Sequence, residues 1–337
     1  MAKYATLVQI ADIIVRFESD LESDITNTSR VFGYHRVDYA GEPDCTVVLK
    51  RQVSFHMPKD AVLEWQSQCH GIVGPPSPEK QIGRRRIRIT SKIDAFGVAS
   101  CYVSRSRGEY YYGMMQDQSW ICYRPAEHKI DYVIHEPHKR YRRCVANAVG
   151  CPISAIPLLL HVITTIHGRF LVHGAAVAVD GKASLFLGKS GSGKSTLSTD
   201  MAKHKASFMG DDLVFVYEKD GIPMVGSLLF PAKLHIDNPE EKRNVDVPKE
   251  MDTDYCLSAP LEAVYLVRQS GLPTSTVESR SAAELLQQLM DASNGMIMQY
   301  DRHQWLSTMY DISERIPYFI FHFGDRSTLE TSLLKIS

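Results

Sequence analysis

One octapeptide constrains this chain more than any other part of it. Gly188-Lys189-Ser190-Gly191-Ser192-Gly193-Lys194-Ser195 satisfies the pattern GxxxxGK[ST] in full. The apolar run Ser184 to Leu187 enters it and the helix-compatible TLSTDMAKHK leaves it, the strand–loop–helix setting in which the pattern carries meaning. The glycines let backbone N–H groups converge on phosphate oxygens, and the helix N-terminus adds its positive end. Lys194 is then expected to reach the β- and γ-phosphates of a nucleotide, with the Ser195 hydroxyl on Mg²⁺. Gly188, Ser190, Gly191, Ser192, Gly193, Lys194, Ser195 and Thr196 are the candidate nucleotide-binding residues.

The neighbouring residues narrow the chemistry. Arg169 to Val179 and Lys182 to Leu187 are apolar runs separated by Asp180-Gly181, a strong hairpin signal because both central residues of a type I′ turn need positive φ. Counting back from that turn, Ala175 faces Phe186, and His173 is expected to face Gly188. Asp211 and Asp212 fall 17 and 18 residues after Lys194, room for one short helix and one strand parallel to the first. Their carboxylates are expected at the sheet edge where α/β ligands gather. One could hold Mg²⁺ and the other accept a proton from an attacking hydroxyl. His173 could orient or electrostatically tune the base.

The 337 residues predict about two domains. With 38 Lys+Arg against 39 Asp+Glu, the net charge of −1 gives no global pull toward nucleic acid or membrane. The longest apolar stretch, Ile153 to Ile166, is interrupted by Pro157 and His161 and is short for a bilayer span. The opening residues MAKYATLVQIAD lack the pattern of an export signal. Seven scattered cysteines without a CxxC pair read as reduced thiols, so a cytoplasmic protein without disulfides or structural zinc is expected. Residues 1–145 read as a β-rich domain, with strands near Val47–Phe55, Arg84–Thr90, Val98–Ser104 and Trp120–Tyr123; residues 146–337 read as α/β. In the latter, a buried helix is expected over 153–166. A capping box at Ser281 to Glu284 opens another helix, residues 301–315 look helical, and Ala263–Val267 and Tyr318–Phe323 read as strands.

The combination HGAAVAVDGKASLFLGKSGSGKSTLS…FMGDDLVFV resembles the catalytic core of the HPr kinase/phosphorylase family over roughly residues 168–217. The resemblance implies the P-loop fold variant shared with phosphoenolpyruvate carboxykinases, here preceded by the β-rich N-terminal domain read over residues 1–145. It implies phosphorylation of a serine on a protein partner with ATP and Mg²⁺; relatives of that core commonly assemble through it, which allows a homo-oligomer without fixing the oligomeric state. By the same resemblance His173 is the active-site histidine, Lys194 the P-loop lysine, Ser195 the Mg²⁺ ligand, Asp212 the proton acceptor and Asp211 its acidic neighbour and a metal-site candidate. Three features depart from the pattern, the first being an N-terminal half that does not look like that of the bifunctional enzymes. Thr196 stands where the bifunctional enzymes typically carry Glu, and SLLFPAKLHIDNPEEKRN replaces their arginine- and glycine-rich segment. Reverse phosphorolysis and the HPr substrate therefore fall outside what the resemblance implies. The layout is closer to HPr-kinase-like lasso peptide kinases, which phosphorylate a serine of a precursor peptide.

Weaker signals complete the reading. Lys233, His235 and Arg243 are candidates for a further cation at the γ-phosphoryl group. Arg84, Arg86 and Arg88 would share one strand face. With Lys139, Arg140, Arg142 and Arg143 they could serve peptide docking, while no nucleic-acid-binding motif accompanies them. The competing functions are a peptide or protein kinase with the N-terminal domain recognising the substrate, a small-molecule kinase, a nucleotide-gated binding module and a simple NTPase. The pair Asp211-Asp212 with His173 argues against the binding module, which needs no general base.

Overall fold

The computed structural model describes residues 2–52, 62–64, 80–82, 85–87, 101–106, 109–114, 120–135, 156–204, 206–234, 243–270, 274–293 and 302–324. They are mixed α/β, mostly strand in several sheets, and fall into two compact units, within 1–167 and within 168–337. This division comes later in the chain than the expected 145/146 boundary, so helix 156–165 belongs with the first unit.

The first unit carries β1 (Tyr4–Ile10), β2 (Ile13–Ser19), β3 (Cys45–Gln52), β4 (Val62–Glu64), β5 (Lys80–Ile82), β6 (Arg85–Ile87), β7 (Cys101–Ser106), β8 (Glu109–Met114), β9 (Trp120–Arg124) and β10 (Lys129–His135). Eight of these form one sheet in the order β1-β2-β3-β10-β9-β8-β7-β4, and β5 pairs with β6. Alternation decides the faces: Ile13, Val15 and Phe17 of β2 are buried while the residues between them are half-exposed, the period-2 pattern of a half-covered strand. Helix α1 (Glu22–Val31) lies against β1 and β2, and beyond its end Phe32 stacks on Phe17 at 5.6 Å between ring centroids. Two buried carboxylates tie the sheet. Asp24 accepts from Arg51 Nε at 3.1 Å, and Asp131 sits 2.8 Å from Lys50 and 2.6 Å from Arg124. Burial alone would raise the Asp131 pKa, but the two cations hold it below the ordinary carboxylate value. Helix α2 (Ile156–Thr165) is the apolar helix expected over 153–166. Among the described residues no helix is long and apolar enough to cross a membrane.

The second unit contains β11 (Phe170–Val172), β12 (Ala175–Val179), β13 (Lys182–Leu187), β14 (Ser207–Gly210), β15 (Val214–Lys219), β16 (Ile222–Ser227), β17 (Ala232–Leu234), β18 (Arg243–Val245), β19 (Ser258–Gln269), β20 (Thr276–Arg280) and β21 (Tyr318–Phe323). A sheet runs β11-β15-β16-β19-β13-β12-β14, with β21 added beside β19 and β20 beside β21; β17 and β18 pair separately. Its helices are α3 (Lys194–Lys203), the single turn α4 (Val247–Glu250), α5 (Ala282–Ser293) and α6 (Arg302–Arg315). The β12–β13 hairpin has the expected register, Val179 opposite Lys182 and Ala175 opposite Phe186. Asp180 and Gly181 both take positive φ, 49° and 78°. The capping box also forms: Ser281 Oγ accepts from the Glu284 backbone N–H at 3.3 Å, and Glu284 Oε2 accepts from the Ser281 N–H at 3.1 Å.

The strand expected over 169–179 breaks at His173-Gly174. β11 turns away to pair with β15, and β12 stays between β13 and β14. The backbone explains the break: the His173 N–H donates to Ala292 O at 2.9 Å and the Gly174 N–H to Asp212 O at 3.3 Å, neither of them a ladder partner. Consequently the strand pairing of His173 with Gly188 does not form; the ladder ends at Ala175–Phe186. Glycine is required at 174, since a Cβ there would lie 2.9 Å from Phe186 O.

β12 is antiparallel to both β13 and β14, so β13 and β14 run in the same direction and end at one edge. Helix α3 packs Leu197 and Met201, one turn apart on one face, into a core with Val177, Phe186, Tyr265 and Phe321. Side chains of this size contribute roughly 1.5–3 kcal/mol each when fully buried. The position of the loop between β13 and α3 is therefore fixed from both ends by packed structure.

Candidate functional site

The loop 188–193 joins β13 to α3 at that edge. Gly188, Gly191 and Gly193 have φ of 141°, 81° and 102°, values that side chains with a Cβ rarely adopt. Gly193 is the N-cap residue of α3, and its carbonyl accepts from Leu197 N at 2.9 Å. Lys194 is buried to 5% exposure, and its Nζ donates to the carbonyls of Gly188 at 2.7 Å and Lys189 at 3.1 Å. From the end of β19, Gln269 Nε2 donates to Gly191 O at 3.0 Å.

A cleft of about 720 Å³ opens over this loop. Ser190, Gly191, Gly193, Lys194, Ser195 and Thr196 line it, as do His173 and Asp212. Thr196, Thr199, Asp200 and Lys203 extend it along one face of α3. Gly188 and Ser192 lie instead on a second cleft of about 700 Å³, whose lining includes Lys189, Gln288 and Asp291. The two clefts share His173 and Gln269.

The carboxylate pair divides into two environments. Asp212 is exposed and takes a φ of 66°, a left-handed conformation that Asp tolerates better than most residues. Its backbone carbonyl lies 2.9 Å from His173 Nδ1. Asp211 is buried and absent from the cleft lining. The Ser195 side chain acts on it to lower its pKa, and its Oδ1 has no hydrogen-bond partner. Burial and the adjacent Asp212 charge push the Asp211 pKa up to about 6, against the Ser195 side chain and the Lys194 charge. The His173 pKa is lowered, first by burial and then by the Lys194 charge, although Asp212 works in the other direction.

These residues suit one hard cation. A buried carboxylate oxygen without a partner, next to a serine hydroxyl, is an incomplete oxygen ligand set. Mg²⁺ is usually held by one or two carboxylates completed by phosphate and water. Among the described residues there is no group of three or more His, Cys, Asp or Glu that could hold a metal by itself.

Of the three candidate cations, Lys233 lines the first cleft. Arg243 does not, and is ion-paired with Glu250 at 2.6 Å. His235 lies outside the described residues, as do Arg84, Arg88 and the basic stretch 137–144. The sequence reading missed Thr199, Asp200, Lys203, Gln269 and Gln288. Helical spacing from Thr196 would have given the first three; nothing local to Gln269 or Gln288 marks them.

No family model matches this chain, and no curated protein matches it. Among solved structures, the Hpr(Ser) kinase/phosphatase from Coxiella burnetii is similar at 13% identity and a TM-score of 0.30. The match covers 49% of this chain and 92% of that one.

Proposed function

We propose that this protein is an ATP-dependent phosphotransferase, with the nucleotide phosphates on the 188–196 loop and a serine hydroxyl of a peptide or protein as acceptor. One observation carries the reading: a buried Lys194 and a helix N-terminus open onto the same cleft as Asp212, while the adjacent Asp211 is buried outside its lining. A phosphate cradle alone serves any NTPase. A second, exposed carboxylate beside it is what transfer to a hydroxyl requires.

Each residue then has a part. The loop N–H groups and Lys194 hold the β- and γ-phosphates, and Ser195 with Asp211 would hold Mg²⁺. When bound, Mg²⁺ offsets the charge of the β- and γ-phosphate oxygens. Asp212 takes the proton of the attacking hydroxyl as its oxygen bonds to the γ-phosphorus and the bond to the β,γ-bridging oxygen breaks. His173, hydrogen-bonded to the Asp212 carbonyl, positions that residue. The second cleft meets the first at His173, which suits the approach of an acceptor. A cleft of about 700 Å³ also lies within the ~300–1,000 Å³ range of small-molecule sites, so a small hydroxyl compound is the second reading. The sequence resemblance favours a peptide, of the ribosomal precursor type, recognised in part by the β-rich first unit.

Intact-mass analysis separates the readings. Small proteins and peptides of the source cell are incubated with MgATP and either wild type or Asp212→Asn. A peptide or protein gaining 80 Da with wild type alone is the expected result. ATP consumption without such a species would move the acceptor to a small molecule or water. Wild-type transfer by Asp212→Asn, in place of a loss of about 10²–10⁴-fold, would remove Asp212 as the base.

A further inference from the structure

We infer that Lys233 is a second phosphate-contacting cation of this site, reading the terminal phosphoryl group and so favouring a nucleoside triphosphate over a diphosphate. This rests on the proposed phosphate-binding role of the 188–196 loop.

Three observations carry it. Lys233 stands exposed on β17 between buried Ala232 and Leu234, and it lines the Lys194–Asp212 cleft together with Leu234. Its route comes from the carboxylate end of the site. Ser227 Oγ bonds to Met209 O, and the Leu228 carbonyl lies 3.2 Å from where a Gly210 Cβ would stand. The segment 228–234 thus departs beside Gly210-Asp211, and β17 packs against α3. Finally, the ammonium group of Lys233 has no hydrogen bond or ion pair among the described residues. The other lysines of the cleft are engaged: Lys194 on two carbonyls, and Lys203 3.9 Å from Asp200. An exposed, uncommitted lysine costs side-chain entropy to order, and a multiply charged phosphoryl group is the ligand that offsets it with a charge-assisted hydrogen bond.

The position of Lys203 sharpens the assignment. It follows Thr196, Thr199 and Asp200 along α3 and ends that helix, at the opposite end from the 188–193 loop. Lys233, on the Asp211 side, is left to the terminal group.

The test is equilibrium binding of MgADP and of the magnesium complex of a β,γ-imido ATP analogue to the full chain. Lys233→Ala is expected to weaken the triphosphate analogue about tenfold or more and to leave MgADP within about twofold. Lys233→Arg restores most of the loss. Equal weakening of both ligands by Lys233→Ala, or none, would overturn the inference while leaving the nucleotide site intact. Failure of the wild-type chain to bind either ligand would remove the phosphate-binding reading itself, and this inference with it.

Discussion

The Nδ1 atom of His173 lies 2.9 Å from the backbone carbonyl oxygen of Asp212. A carbonyl only accepts, so Nδ1 carries the proton and Nε2 is the free ring nitrogen. The bond ties the break between β11 and β12 to the left-handed turn at Asp212. Under the proposed function His173 would act on the reaction through that turn, and burial and Lys194 lower its pKa, which favours the neutral ring at pH 7 and above.

His173→Ala is therefore expected to lower kcat roughly five- to tenfold, the worth of one orienting hydrogen bond, with the KM for ATP unchanged. The wild-type rate should show no inflection between pH 7 and 8, where an already neutral imidazole does not titrate. Steady-state ADP release measured across that range checks both. An inflection present in wild type and lost in His173→Ala would make the imidazole a proton carrier instead.

Asp211 gives a pH signature in the metal-free protein. Its folded pKa of about 6 lies above the ordinary 3.8, so between these values the folded state binds a proton that the unfolded state has lost. Stability therefore falls as pH rises through that window and stays lower above it. The buried charge costs on the order of 3 kcal/mol at neutral pH. Asp211→Asn should raise the Tm at pH 7.5 and leave it close to wild type at pH 4. Thermal melts at the two pH values decide it, and an equal shift at both would contradict the assignment.

Gly188 is required by space as well as by its φ of 141°. A Cβ there would lie 2.8 Å from both Ser192 Oγ and the Val267 backbone carbonyl. The serine side chain can rotate away; the β19 carbonyl cannot. Gly188→Ala should cost about 1–3 kcal/mol of stability and displace the carbonyl that holds Lys194. Loss of nucleotide binding in a chain that still unfolds cooperatively is the expected combination, read by denaturant titration alongside binding. A variant with wild-type stability and binding would show the loop to be less confined than the Val267 contact implies.

Local chemistry made the site legible in the sequence. Asp180-Gly181 set the β12–β13 register because a type I′ turn leaves one way to pair the flanking strands, and Ser281 to Glu284 announced α5. The same signal stands at Asp220-Gly221, which turns β15 into β16 with φ of 51° and 75°. His173 was expected in a ladder with Gly188. It sits at a break instead, because its N–H is drawn to Ala292 on α5, a contact 119 residues away that no local pattern encodes. Gln269 escaped for the same reason: the end of β19 reaches the loop through parallel pairing with β13, and parallel partners lie far apart in sequence. The break of 169–179 and the depth of Asp211 are tertiary facts of this kind.

The central claim is that Lys194 and its loop hold the phosphates of a nucleotide. Calorimetric titration of MgATP into wild type and Lys194→Ala tests it most directly. Wild type should bind with a Kd between about 1 μM and 1 mM. The variant should bind about 10- to 100-fold more weakly, as expected for losing a charged contact. Absence of heat with wild type, or equal affinities for the two proteins, would contradict the account.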